Sequence, residues 1–99
     1  MPAYILVQVD VHDAEGYARY RGMVLPSITA YGGRFIVRGG PIETLEGTWH
    51  PPRLVILEFP DLEAAKRWYE SERYQEAKRL RDGAAELRMV AVEGLAEPL

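Results

Sequence analysis

The segment from Arg38 to Arg53, RGGPIETLEGTWHPPR, shows no helical or strand period, yet it is dense in side chains able to bind or transfer. An arginine stands at each end, and a guanidinium fork can grip a carboxylate or phosphate by two parallel hydrogen bonds. That predicts an anionic ligand. The competing expectation is ion pairing to Glu43, Glu46 or Glu58, which would only tie the segment down. Trp49, alone among glycines and prolines, suits the wall of a ligand cleft or a contact across a subunit boundary. His50 has an ordinary pKa, about 6.5, that fits proton transfer, but beside two prolines it reads as a solvated loop residue. Gly39 and Gly40 allow close backbone approach, although their spacing matches neither a Walker loop nor a dinucleotide fingerprint, so nucleotide binding is not expected.

Outside this loop, the groups able to move protons are Glu58, Asp10 and Tyr20. A positioned carboxylate or phenol acts as a general acid or base; the plainer expectation is a compensating ion-pair network that includes Arg34. Asp10 and His12 stand at i, i+2 on one strand face and offer two metal ligands without an evident third, so no metal is expected. The chain has no cysteine, which excludes disulfides, thiolate nucleophiles and zinc–sulfur sites. No motif calls for a cofactor. A net charge of -3 and a pI near 5.4 provide no overall attraction for nucleic acid. Lys66, Arg67, Arg73, Lys78, Arg79 and Arg81 crowd one region, but they alternate with Glu63, Glu70, Glu72, Glu76 and Asp82, the pattern of a solvated, salt-bridged helix face.

These residues need elements to hold them. Ala3, Ile5, Val7, Val9 and Val11 alternate with Tyr4, Leu6, Gln8 and Asp10, which predicts a first strand with one core face. Asp13 is a helix N-cap with Glu15 in the first turn. Tyr17, Tyr20, Val24, Ile28 and Tyr31, spaced three and four apart, mark the buried side of that helix, and Gly32-Gly33 stops it. Pro26 is expected to bend or divide it. RFIVR and RLVILEF read as two strands around the loop. Pro60-Asp61 opens a helix with Leu62, Ala65, Trp68 and Tyr69 on one face, Ser71 caps a further segment ending at Gly83, and ELRMVAVEG closes the chain as a strand. Most of the aromatic residues fall at helical spacing and are expected in the core.

The order βαββαβ with right-handed crossovers predicts an α+β, ferredoxin-like sandwich: a four-stranded antiparallel sheet with its helices on one side, residues 1–99 forming a single domain. The other side then carries Tyr4, Leu6, Leu54 and Ile56, an apolar patch that a lone subunit does not tolerate well. A second copy packed sheet to sheet is the expected cover. The same face is expected to hold Gln8, Asp10 and Glu58, with Arg34 and Arg38, and so to enclose a wet cleft. With the first and third strands taken as parallel neighbours, Asp10 and Glu58 are expected at one end.

Tyr17 and Tyr20, Gly32-Gly33, Arg38-Gly39-Gly40, Glu46-Gly47 with Trp49, and Arg53 together resemble the domain of unknown function 1330 family. So do Glu58-Phe59-Pro60, Ala65, Trp68-Tyr69 with Ser71, Tyr74-Gln75 and Arg81. The resemblance spans nearly the whole chain. It implies a dimeric α/β barrel and no established reaction, it favours Arg38, Glu46, Trp49 and Arg53 over His50 as ligand-binding residues, and it implies an inward-reaching Arg81; Trp68 is a further candidate ligand contact.

The resulting expectation is a homodimer binding a small anionic or aromatic molecule in a cleft between sheet, helices and the 38–53 loop. Glu58, Tyr20 or Asp10 would then act as acid or base. The alternative is a non-catalytic carrier or structural dimer whose charges are merely paired. No apolar run reaches the length of a membrane span, and the start MPAYILVQVD has no signal-peptide pattern, so a cytoplasmic location is expected.

Overall fold

The computed structural model describes residues 1–96, in seven elements: β1 (Ala3–Val11), α1 (Ala14–Ala30), β2 (Arg34–Arg38), β3 (Leu54–Phe59), α2 (Leu62–Glu70), α3 (Glu72–Leu80) and β4 (Ala85–Glu93). The strands lie in the order β2-β3-β1-β4 and every neighbouring pair is antiparallel, which is the α+β, ferredoxin-like arrangement. Alternation along β1 works as its pattern predicts as far as Val9, whereas Val11, expected on the core face, is exposed at the strand's end beyond the cover of the helices. Ala3, Ile5, Val7 and Val9 are buried under the helices, and Tyr4, Leu6 and Gln8 face the other way.

The expected parallel pairing of β1 with β3 is corrected. Ala3 lies opposite Phe59 and Gln8 opposite Leu54, so the two strands run in opposite directions. The cause is the hairpin. A crossover through α1 leaves β2 parallel to β1, and the turn into β3 reverses the chain before β3 inserts between them. Glu58 therefore sits beside Tyr4 at the start of β1, whereas Asp10 sits beside Glu86 at the opposite end.

Strand β2 departs from regular alternation. Phe35 pairs with Leu57, but Val37 pairs with Ile56 and Arg38 with Val55, so Ile36 is an extra residue in a β-bulge. A bulge reverses which side the following residues face. Arg34 stays on the helix-free face with Glu58, while Arg38 turns to the helix side with Val55. The expectation that both arginines share one face is thereby corrected.

Helix α1 starts where Asp13 accepts a hydrogen bond from the Glu15 amide at 3.2 Å, and it runs through Pro26 without dividing. The carbonyl that Pro26 deprives of a partner is that of Gly22, an exposed position that water reaches. Asp61 caps α2 by accepting from the Ala64 amide at 2.7 Å. Ser71 then serves two helices at once: its Oγ donates to the Trp68 carbonyl at 2.7 Å and accepts from the Tyr74 amide at 3.1 Å.

Between sheet and helices, Trp68 and Tyr74 form the centre of the core, with ring centroids 4.3 Å apart. The Trp68 indole N–H donates to Ser27 Oγ at 3.0 Å, and Ser27 Oγ donates to the Val24 carbonyl at 2.6 Å, so neither buried polar group lacks a partner. The helix-free face is apolar: Leu6, Val37, Leu54 and Ile56 are half-buried, while Val90 and Val92 are 61% and 49% exposed. No helix among the described residues is long and apolar enough to cross a membrane.

Candidate functional site

A slot opens on the helix side of the sheet, between α1 and the strands. Its walls are apolar side chains of β1, β3 and β4 (Val7, Val9, Val55, Leu57, Leu87, Met89), with Phe35 of β2, Val24 and Ile28 of α1, and the rings of Tyr17, Tyr20 and Trp68. Counted together with the open solvent at its mouth, the slot spans about 430 Å³, but a water molecule can centre itself in only about 30 Å³ of that. The enclosed part has room for about one or two waters, so a larger molecule enters as the side chains around the mouth give way.

Arg21, Arg38 and Arg53 reach the same slot, each from a different element. Arg21 lies one turn beyond Tyr17 on α1. Arg38 is brought round by the β2 bulge, and Arg53 precedes β3 on the helix-side parity of Val55. Aromatic faces hold all three: the Arg38 guanidinium carbon is 4.4 Å from the Phe35 ring centre, and those of Arg21 and Arg53 are 5.6 and 6.0 Å from the Tyr17 ring. Gly39 has φ +75, and a side chain there would overlap the Arg53 guanidinium, so the glycine makes room for it. The ion pairs among the described residues are Arg34–Glu58 and Lys66–Glu63, and none involves these three arginines. Arg53 Nε is buried and has no hydrogen-bond partner among the described residues.

Behind the slot, the Tyr20 and Tyr74 hydroxyls lie 3.2 Å apart, and Arg81 Nη2 donates to the Tyr74 oxygen at 3.4 Å. Arg81 caps α3, where its charge also suits the helix C-terminus. Burial holds the Tyr20 phenol far above the ordinary tyrosine pKa of 10.0, and the neighbouring Tyr74 adds to the effect while Arg81 opposes it. The Arg81 pKa is raised: burial works against its charge, and its interactions with Tyr74 and Tyr20 outweigh that.

Of the residues singled out by sequence, Tyr20, Arg38, Arg53 and Trp68 meet in the slot, with Arg81 touching it from behind through Tyr74 and Tyr20. Glu58 and Asp10 lie outside it. Glu58 is on the helix-free face, bonded to Arg34 Nη2 at 2.8 Å and to Nε at 2.9 Å. Asp10 is exposed at the far end, where His12 and Glu86 complete a group of three possible metal ligands lying within 4.8 Å of one another. Glu86 is the third ligand that spacing along β1 alone did not provide. Trp49 also belongs to the helix-free face: it is 62% exposed and its indole N–H donates to Gln8 Oε1 at 2.9 Å. Thr44 organises that loop, donating to the Trp49 carbonyl at 2.8 Å and contacting His50 Nδ1 at 3.1 Å, while Glu46 is exposed. The slot thus lies on the helix side, whereas the cleft was expected on the helix-free face. Sequence reasoning missed Arg21, although its place four residues after Tyr17 puts it on the same helix face.

The sequence matches the family described as Domain of unknown function (DUF1330) over residues 2–95. No curated protein matches it. Among solved structures, a protein of unknown function from Rhodopseudomonas palustris is similar with 24% identity and a TM-score of 0.76, over 97% of this chain and 84% of that one. A dimeric ferredoxin-like protein of unknown function from Jannaschia sp. CCS1 is 15% identical over 95% of this chain and 100% of that one, with a TM-score of 0.62. SnoaB, a cofactor-independent oxygenase from Streptomyces nogalater, is 10% identical over 97% of this chain and 95% of that one, with a TM-score of 0.64. Likeness at these identities is one of fold.

Proposed function

The chain belongs to the DUF1330 family, whose description assigns no reaction, and from its own site we propose that it binds a small organic anion in the slot between α1 and the sheet. The observation that carries this reading is the set of Arg21, Arg38 and Arg53, free of carboxylate partners among the described residues, around an apolar and aromatic slot. Three guanidinium groups gathered without counter-charge repel one another, and an anion entering the slot relieves that repulsion. Arg38, Arg53 and Trp68 are the proposed ligand contacts, with Tyr20 as the proposed proton-bearing group that acts on the ligand.

The working unit is proposed to be a cytoplasmic homodimer, each whole chain forming one domain and two helix-free faces packing together. Exposed Val90 and Val92 beside Leu6 and Ile56 support that pairing, as does the dimeric neighbour of the same fold. Trp49 and the loop carrying Glu46 are proposed to contribute to that boundary. A carrier without turnover is the second reading, and one observation favours it: the slot walls include no carboxylate and no histidine, so they contain no base for neutral pH.

Titration of isotope-labelled protein with benzoate, followed by amide chemical shifts, tests the reading. The expected shifts fall at Val7, Val9, Val55 and Leu57, and R38Q and R53Q each weaken binding at least about tenfold, the loss of one hydrogen bond to a charged group. Shifts confined to Gln8, Trp49 and Leu54 on the other face, or no binding, would overturn it.

A further inference from the structure

The bonds behind the slot have a direction. An arginine side chain has donors and no acceptor, so Arg81 must donate to the Tyr74 oxygen. The Tyr74–Tyr20 contact can be drawn either way, but the two choices differ in what they strand. If Tyr20 donated to Tyr74, the Tyr74 hydroxyl hydrogen would be left over on a residue that is 0% exposed and does not reach the slot. A buried donor without a partner is costly. If Tyr74 donates to Tyr20, the hydrogen left over belongs to Tyr20, which lines the slot and can meet a bound molecule there. Each hydroxyl then polarises the next, starting from a fixed positive charge.

We propose that Arg81, Tyr74 and Tyr20 form a one-way donor chain that presents the Tyr20 hydroxyl hydrogen to a carbonyl or oxyanion oxygen of the ligand. This rests on the slot being the binding site, and it narrows the ligand class: an organic acid held by its charged end at the arginines, with a second acceptor oxygen further in. Tyr20 touches the ligand; Tyr74 and Arg81 are positioning residues that act through it. The charged and titratable groups facing Tyr20 are Tyr17 and Arg21 on its own helix, Tyr74 and Arg81 from α3 and its cap, and Arg38 and Arg53 from the ends of β2 and β3. None of them is an acceptor-only group competing for the hydrogen.

The probe is 4-hydroxy-3-nitrobenzoate, whose carboxylate suits the arginines, whose phenol oxygen then points inward, and whose absorbance reports ionisation of that phenol. The expected result is an ionisation midpoint at least about one pH unit lower for the bound probe than for the free one, a tenfold change in ionisation constant. Y20F and Y74F each return most of that shift. Y74F is the decisive variant, because Tyr74 does not line the slot and a merely structural role would lower affinity without moving the midpoint. R53Q weakens binding of the probe in both its forms. A bound probe with an unshifted midpoint, or a midpoint unchanged by Y74F and Y20F, overturns the donor chain and leaves the slot standing. Failure of the probe to bind, or binding that perturbs only residues of the helix-free face, overturns the slot and the chain with it. Should Y74F not fold, Y20F decides the matter by the same midpoint.

Discussion

Gly39→Ala isolates the role of a single guanidinium. Gly39 has φ +75, where an L side chain costs about 1 kcal/mol or somewhat more. Its added methyl would also overlap the Arg53 guanidinium. Gly47 supplies the control, since its φ is +83 and an added methyl meets nothing within 4 Å. Gly47→Ala therefore has the backbone strain alone, and Gly39→Ala has that strain plus displacement of the far end of a flexible side chain. Swinging a guanidinium aside costs little stability, so urea unfolding at one protein concentration should give losses for the two variants that agree within about 0.5 kcal/mol, each near 1 kcal/mol. Anion affinity should separate them. Removing one charge-assisted hydrogen bond is worth about 1.5–3 kcal/mol, which is a tenfold to hundredfold weaker benzoate dissociation constant by calorimetry. That loss is expected for Gly39→Ala, with Gly47→Ala within about twofold of the parent. Equal affinities in the two variants would refute the claim that Gly39 seats Arg53 at the slot.

Replacing Val90 and Val92 together by aspartate puts two charges on the helix-free face and should weaken self-association at least about a hundredfold by sedimentation, since burying unpaired charge costs several kcal/mol; an unchanged association constant would remove that face as the interface. Stability should fall as pH rises above about 10, because the unfolded chain ionises Tyr20 at its ordinary value of 10.0 while the folded chain, with its raised pKa, keeps the proton. The slope from this group is about 1.4 kcal/mol per pH unit and should vanish in Tyr20→Phe when unfolding is followed against pH. Ser71→Ala removes hydrogen bonds from two helix ends and should cost about 1–2 kcal/mol in urea unfolding, with the loss of protection in hydrogen exchange concentrated in the last turn of α2 and the first of α3. Glu58→Gln breaks a pair whose Arg34 side chain is 70% exposed; it should change stability by less than about 1 kcal/mol and leave benzoate affinity unaltered, which calorimetry reads directly.

What the sequence made legible was local. Asp13, Asp61 and Ser71 announce helix starts because a cap acts on amides two or three residues away, and β1 announces its core face by strict alternation. The direction of β3 relative to β1 is a different kind of property, since it follows from how a hairpin inserts into a sheet and no spacing along either strand records it. The bulge was hidden for the same reason. In RFIVR nothing marks an extra residue, so Arg34, Ile36 and Arg38 read as one face, and only pairing with β3 reveals the bulge at Ile36. That one displacement moved Arg38 across the sheet and moved the candidate site with it. Trp49 went the other way: its loop position suggested a wall or a boundary contact, and the bond to Gln8 fixes it on the helix-free face. Tyr74 is one of the aromatic residues at helical spacing expected in the core, and that spacing does not reveal the bond of its hydroxyl to that of Tyr20.

The arginines at the slot also govern how an anion arrives. The molecule carries a net charge of -3 and repels anions from a distance, yet within about one Debye length of the mouth, about 8 Å in physiological salt, local attraction prevails. An anion that comes close to the mouth is therefore drawn in by Arg21, Arg38 and Arg53. Capture rate thus follows ionic strength, whereas residence time follows the fit between the molecule and the walls.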